Sequence, residues 1–128
     1  MKYKLLGNSG VRVSEICLGT MTFGSDTDFG CDYETSKKIF DVYINKGGNF
    51  IDTANIYTAG NSEMITGDLI HSDRDHFVLA TKYTLFDKKG DPNFSGNHRK
   101  NMMRSIEGSL KRLNTEYIDL FWVHAWDF

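Results

Sequence analysis

The sequence predicts a parallel α/β fold, and three observations carry that prediction. Short, nearly continuous apolar runs recur along the chain, stretches of helical periodicity separate them, and one run follows the next at roughly 30 to 40 residues, the length of a strand with its crossover helix. The chain has 128 residues, 40% of them hydrophobic and 25% charged, which suffices for one globular domain with a core. A single proline, Pro92, and the absence of any Ser/Pro-rich or Gly-rich tract leave no linker, so residues 1–128 read as one unit.

The elements follow in order. Residues 4–13 hold two short apolar runs around Gly7-Asn8-Ser9-Gly10, a hairpin signal. Residues 16–20, 50–54, 77–82 and 118–124 are the apolar runs expected of parallel strands covered on both faces, and each ends on a polar or small residue. Ile39, Phe40, Tyr43 and Ile44 recur at helical spacing after a candidate Asp32 cap and before a Gly47-Gly48 stop. A second helix is predicted from Ser62 to about Ile70. In the third, Met103, Ile106, Leu110 and Leu113 form the predicted core stripe, with Arg104, Glu107, Lys111 and Arg112 on the other faces. His98-Arg99-Lys100 reads as the start of that helix, and residues 85–97, with Gly90, Pro92 and Gly96, as a mobile loop.

A parallel α/β chain is either a doubly wound sheet or a barrel, and the first strand-to-helix loop decides. A Rossmann domain carries its glycine-rich phosphate loop there. This chain has Gly19-Thr20-Met21-Thr22-Phe23-Gly24, which matches neither G-x-G-x-x-G nor the P-loop. A bound dinucleotide would rest its pyrophosphate elsewhere, and barrels hold phosphate near their seventh and eighth strands. A (β/α)8 barrel takes about 250 residues, so a hairpin, four strands and three helices amount to half of one. The expectation is a truncated (β/α)8 TIM barrel that stops after its fourth strand.

The charge pattern excludes several classes of partner. Fifteen Lys+Arg against seventeen Asp+Glu give a formal net charge of -2, which provides no basic field for nucleic acid or an anionic membrane surface. Two cysteines, Cys17 and Cys31, make no disulfide framework. The opening residues hold no apolar stretch long enough for a signal peptide or a membrane span. A cytoplasmic protein is expected.

Reacting groups in such a sheet sit at the carboxyl ends of strands. Three predicted strands bring Asp52, Lys82 and His124 to that level, and Tyr57 follows Asp52 by five residues. A carboxylate, an amine, an imidazole and a phenol around one mouth suit carbonyl reduction by hydride transfer, which leaves an alkoxide to be protonated. A phenol, with an ordinary pKa of about 10, is too weak an acid unless a cation favours its charged form. Lys82 can be that cation, Asp52 can fix it, and His124 can orient the carbonyl oxygen. Taken singly, each residue has a plain structural use as a cap, packed aromatic, solvated strand end or core histidine; only the combination favours catalysis. The alternative of a metal site on His71, His76, His98 and His124 fits no zinc spacing, so no metal is expected.

These residues resemble the aldo-keto reductase family, and the resemblance runs through essentially the whole chain. Residues 3–14 resemble the hairpin that closes the bottom of that family's barrel, and Leu18-Gly19-Thr20-Met21-Thr22-Phe23-Gly24 resembles its first strand and loop. Gly48-Asn49-Phe50-Ile51-Asp52-Thr53-Ala54-Asn55-Ile56-Tyr57, then Gly60-Asn61-Ser62-Glu63 and Gly67, resembles its most specific signature. Lys82 in Ala80-Thr81-Lys82 and His124 in Asp119-Leu120-Phe121-Trp122-Val123-His124 fall at its remaining catalytic positions.

The resemblance implies a tetrad of Asp52, Tyr57, Lys82 and His124, with Tyr57 as proton donor in NADPH-dependent reduction of a small-molecule aldehyde or ketone. It implies that Gly19, Thr20, Met21 and Asp52 approach the nicotinamide ribose, with Phe23, Tyr83 and Trp126 as weaker candidates for the substrate pocket. The family's contacts to the carboxamide, the nicotinamide face and the 2'-phosphate come from later strands, so these residues carry only part of a cofactor site. Some relatives, in the potassium-channel β-subunit-like branch, are auxiliary subunits that hold the cofactor as a sensor, and an inactive fragment is a third reading. The first and fourth strands would be open edges, so self-association is expected.

Overall fold

The apolar runs become strands of one sheet because the first three can each be covered by the helix that follows. A computed structural model describes residues 1–86 and 88–127. The sheet contains β3 (Leu18–Gly19), β4 (Phe50–Asp52), β5 (Val78–Tyr83) and β6 (Leu120–Val123). All neighbours are parallel, in the order β3-β4-β5-β6. Strand order that follows chain order belongs to a barrel; a doubly wound sheet reverses its order part-way. The helices α1 (Tyr33–Asn45), α2 (Asn61–Ile70) and α3 (Arg99–Arg112) supply one covering layer. The core shows this directly: Phe40, Tyr43, Ile70 and Leu113 pack on Ile51 and Leu79, with Leu18 at the edge. Ile51 and Leu79 face one another across β4 and β5, so this is a single face of the sheet. The chain is an open portion of a (β/α)8 barrel.

The amino ends of the strands are closed by the hairpin of β1 (Tyr3–Leu5) and β2 (Arg12–Ser14), paired antiparallel. It is tied to the turn between α1 and β4, where the Tyr3 hydroxyl donates to the Gly47 carbonyl at 2.7 Å and the Ser14 amide donates to Asn49 Oδ1 at 2.7 Å. Asp32 caps α1 by accepting from the Thr35 amide. The helix ends where expected: Gly47 takes φ 81°, and a Cβ on Gly48 would lie 2.2 Å from the Tyr43 ring. His98 caps α3, its Nδ1 accepting from the Asn101 amide.

One expectation needs correction. The stripe Met103, Ile106, Leu110 and Leu113 is not the core face of α3; Leu113 is buried, Ile106 and Leu110 are half-buried, and Met103 is exposed. The buried line is Asn101, Ser105 and Ser109, on a helix that packs against α2 and β5. Their short side chains permit close approach, and their polar atoms are satisfied locally: Asn101 Nδ2 donates to the Gly96 carbonyl at 2.9 Å and Ser105 Oγ to Asn101 Oδ1 at 3.3 Å. The segment 85–97 contains a short 3-10 turn, Pro92–Phe94, and leaves the carboxyl end of β5; Asp87 within it lies outside the described residues. No helix among the described residues is long and apolar enough to cross a membrane.

Candidate active site

The strands carry the four singled-out residues to one place through their register. Gly19 pairs with Asp52, and Asp52 with Ala80, while Lys82 pairs with Trp122. Side chains two residues apart share a face, so Asp52, Lys82 and Trp122 all project from the face opposite the helices. Each step across the sheet also climbs toward the carboxyl end. On that face lies a cavity of about 540 Å³ lined by Gly19, Phe50, Asp52, Lys82, Trp122 and His124, with Cys17 and Val123 beside them.

Lys82 is the centre of the cluster. Its ammonium donates to Asp52 Oδ2 at 2.5 Å, to the Thr53 carbonyl at 2.7 Å and to the Tyr57 hydroxyl oxygen at 3.1 Å. An ammonium has three donors and no acceptor, and here all three are used, which locks the end of a flexible side chain. The same rule fixes a direction at Tyr57. Its oxygen accepts from Lys82, so its own proton is directed elsewhere and is available to another acceptor. Lys82 Nζ also sits 4.6 Å from the Tyr57 ring centroid. The Lys82 and Asp52 side chains are 14% and 26% exposed, sheltered enough that their attraction is not lost to water.

Tyr57 is aimed by the turn after it. Thr58, Ala59 and Gly60 all lie in the left-handed region, at φ 46°, 54° and 93°. The Thr58 hydroxyl pins this turn, donating to the Phe23 carbonyl at 2.6 Å and accepting from the Ser62 amide at 2.9 Å at the start of α2. His124 stands edge-on to Tyr57, with ring centroids 5.7 Å apart at 86°. Burial, and then the Lys82 ammonium, hold the imidazole below its ordinary pKa of 6.5, against a smaller opposing pull from Asp52. It is therefore neutral near pH 7. Its Nδ1 is buried without a hydrogen-bond partner among the described residues. Burial, and then the Asp52 carboxylate, raise the Cys17 thiol above its ordinary range, although the residue as a whole is exposed.

The remaining predicted residues divide by exposure. Gly19 and Met21 are exposed at the end of β3, and nothing lies within 4 Å of a Cβ placed on Gly19. Thr20 is fully buried, its hydroxyl bonded to Ser62 Oγ at 2.9 Å and to the Asp52 carbonyl at 3.3 Å. Phe23 and Tyr83 are packing residues, Tyr83 stacking on Phe121 at 4.9 Å, while Trp126 is exposed. His71, His76 and His98 lie at the end of α2, before β5 and at the start of α3. Sequence reasoning missed Phe50 and Trp122, the apolar part of the cavity lining; their position two residues before Asp52 and His124 was the available signal. It also missed the Thr53 carbonyl, which has no side-chain signature.

An open hollow lined by a carboxylate, an ammonium and a neutral imidazole, with the Tyr57 phenol touching the last two, has room for a flat ring beside a carbonyl. The open space over Gly19 leaves room for such a ring against the end of β3. The chemistry available is proton delivery from Tyr57, assisted by Lys82, to an oxygen that His124 helps to place.

Known proteins give this cluster its context. The sequence profile of the aldo/keto reductase family matches residues 15–128. Norsolorinic acid reductase of Aspergillus flavus is 45% identical over 134 residues, covering 97% of this chain and 34% of that protein. An aryl-alcohol dehydrogenase (NADP(+)) of Phanerodontia chrysosporium is 40% identical over 139 residues, covering 98% of this chain and 36% of that protein. The structure of aldo-keto reductase AKR11C1 from Bacillus halodurans, in its holo form, superposes with a TM-score of 0.81 at 31% identity, covering 94% of this chain and 39% of that one. The chain spans about a third of the length of the curated relatives it matches.

Proposed function

This chain belongs to the aldo/keto reductase family, and from that premise we propose that it carries the proton-transfer side of an NADPH-dependent carbonyl reductase site. NADPH, when bound, would supply the hydride that reduces the carbonyl carbon. Tyr57 gives its proton to the carbonyl oxygen, so the product is an alcohol and the phenol is left as an oxyanion. Lys82 lies beside that oxyanion, Asp52 holds Lys82 in place, and neutral His124 orients the substrate oxygen. Gly19, Met21 and Asp52 would hold the nicotinamide ribose, with Thr20 able to contribute only backbone, because its side chain is committed to Ser62. The observation that carries this reading is the triple bonding of Lys82, which leaves the Tyr57 proton directed away from the ammonium.

The substrate class is an aldehyde or ketone, aromatic or small aliphatic. The two cysteines are free, which supports a reducing, cytoplasmic setting. The β3 and β6 edges, with Trp122 and Val123 exposed at the latter, support self-association of this chain; a monomeric mass by light scattering at micromolar concentration would refute it. The functional test is loss of NADPH absorbance with an aromatic aldehyde, in a protein that carries this chain together with the later strands of the barrel. Removing a general acid costs about 10²- to 10⁴-fold in rate, and Tyr57→Phe should lose that much while retaining NADPH. An equally active Tyr57→Phe means that the acid is misassigned, and retention of NADPH with no turnover by the parent points to a sensor instead.

A further inference from the structure

Backbone strain among the described residues is concentrated around this cluster. Four non-glycine residues have positive φ: Thr58, Ala59, Thr84 and Asn114. Two of them follow Tyr57 directly, and Thr84 stands two residues after Lys82. Thr84 is the most extreme, at φ 116°, a region that a β-branched residue avoids. A glycine would hold this conformation without steric cost.

The threonine offers something that a glycine lacks. Thr84 is 4% exposed, and its unusual φ turns its two oxygens to different tasks. Its carbonyl accepts from the Gly96 amide at 2.7 Å and ties down the loop after β5. Its hydroxyl accepts from the His124 backbone amide at 3.2 Å, and that amide also reaches the Tyr83 carbonyl at 2.9 Å. The backbone of His124 is therefore held at the point where the chain leaves β6, and the ring contact with Tyr57 begins from that point.

We infer that Thr84 is a positioning residue: its strained backbone and its hydroxyl set the exit from β6 so that the His124 imidazole stands edge-on to Tyr57. This rests on the reading of His124 as part of the reductase site, but its test does not depend on turnover. The competing explanation is that Thr84 only anchors the loop through its carbonyl, which every substitution retains. The hydroxyl separates the two: Thr84→Ser keeps it, whereas Thr84→Val and Thr84→Gly remove it.

The experiment is proton nuclear magnetic resonance of the 128-residue chain and these three variants, with urea midpoints to show that each is folded. The readouts are the nuclear Overhauser contact between the His124 and Tyr57 rings and the ring-current shift of the imidazole protons. Thr84→Ser should retain both, and Thr84→Val and Thr84→Gly should lose both. If the strained Thr84→Val does not fold, Thr84→Gly carries the test, because glycine accepts this φ. Unchanged ring contact in Thr84→Gly overturns the inference, and so does its loss in Thr84→Ser, which would assign the effect to the methyl group. Failure of the reductase reading is registered separately, by the rate of Tyr57→Phe.

Discussion

Glu63 offers a quantitative test of how the helical layer supports the strand that bears Lys82. Its side chain is fully buried in α2, accepting from the Thr81 hydroxyl at 2.6 Å and from Arg112 Nε at 2.6 Å. Thr81 is the residue before Lys82, and its side chain points to the helical face while Lys82 points to the cavity. Removing one partner of a buried ion pair costs about 3–5 kcal/mol, because the other charge is stranded, and an orphaned buried hydroxyl costs about 1–3 kcal/mol. Two features pull the sum down. The Arg112 side chain is 27% exposed, so it can turn toward water, and the two losses share one space and do not add. Glu63→Ala should therefore cost about 3 kcal/mol, near the lower end of the buried-pair range. Glu63→Gln retains an acceptor for Thr81 and loses only the charge-assisted bond to Arg112, about 1.5 kcal/mol. With a urea m-value of about 1.5 kcal/mol/M, the midpoint should fall by about 2 M for alanine and about 1 M for glutamine. A fall of less than about 0.3 M for Glu63→Ala, on that same scale, would show that the pair is not a structural tie.

Three further outcomes follow from the same coordinates. Gly67→Ala gains about 1 kcal/mol of helix propensity, but its Cβ would lie 2.3 Å from the Leu113 carbonyl oxygen and 2.7 Å from Leu113 Cα; backbone cannot yield as a side-chain tip can, the overpacking costs about 1–3 kcal/mol, and the melting temperature should fall, whereas a rise would contradict the helix contact. His124 makes stability pH-dependent in a definite direction: its folded pKa is depressed, so the unfolded chain binds that proton more readily, and stability intact above the ordinary value of 6.5 is lost as pH falls through it. Urea midpoints of the parent and His124→Gln, measured on either side of that value, should converge toward low pH; a constant difference would remove the burial argument. Asp52→Asn keeps an acceptor near Lys82 but removes its counter-charge, so carbonyl reduction should slow by about 10-fold or more, with each 1.36 kcal/mol of lost transition-state stabilisation worth tenfold, and an unchanged rate would free Asp52 of any part in holding the ammonium.

What could be read from residues alone divides along a physical line. The parallel sheet was legible because its strands are apolar on both faces, although helices cover only one of them here and Trp122 and Val123 are exposed, and the site because polar groups at the ends of such runs are conspicuous: Asp52 after Phe50-Ile51, Lys82 after residues 77–81, His124 after residues 120–123. The α3 face was misread for the converse reason. Asn101, Ser105 and Ser109 are polar by type, but Asn101 is satisfied by the Gly96 carbonyl and Ser105, and Ser109 accepts from Arg112, so the helix buries them and leaves Met103 outside. A moment of hydrophobicity registers transfer cost, and a satisfied serine or asparagine in a tight helix–sheet contact escapes it. The strain at Thr58 and Thr84 was unreadable on the same grounds, since threonine is among the last residues expected at positive φ.

That blind spot bears on how the site is built. Asp52 and Lys82 lie on the adjacent strands β4 and β5, whose register climbs toward the mouth, so the sheet alone brings a carboxylate and an ammonium within 2.5 Å. Tyr57 lies beyond the last ladder pairs, and His124, one residue past β6, keeps a single backbone tie to the sheet through its amide and the Tyr83 carbonyl at 2.9 Å, so the ladder itself fixes neither ring. At those two positions the chain places a left-handed turn pinned by the Thr58 hydroxyl and a strained residue whose hydroxyl holds the His124 amide. Hydrogen bonding thus fixes what strand pairing cannot reach, and the strain persists because the surroundings over-determine it. The strand-borne pair should therefore tolerate loss of either threonine, and the phenol and imidazole should not: Thr58→Ala should loosen the Tyr57 ring while leaving the Lys82–Asp52 contact in place, as reported by separate resonances of the two groups. Equal loosening of both would mean that the cluster moves as one body and that the division between sheet-held and loop-held groups is false.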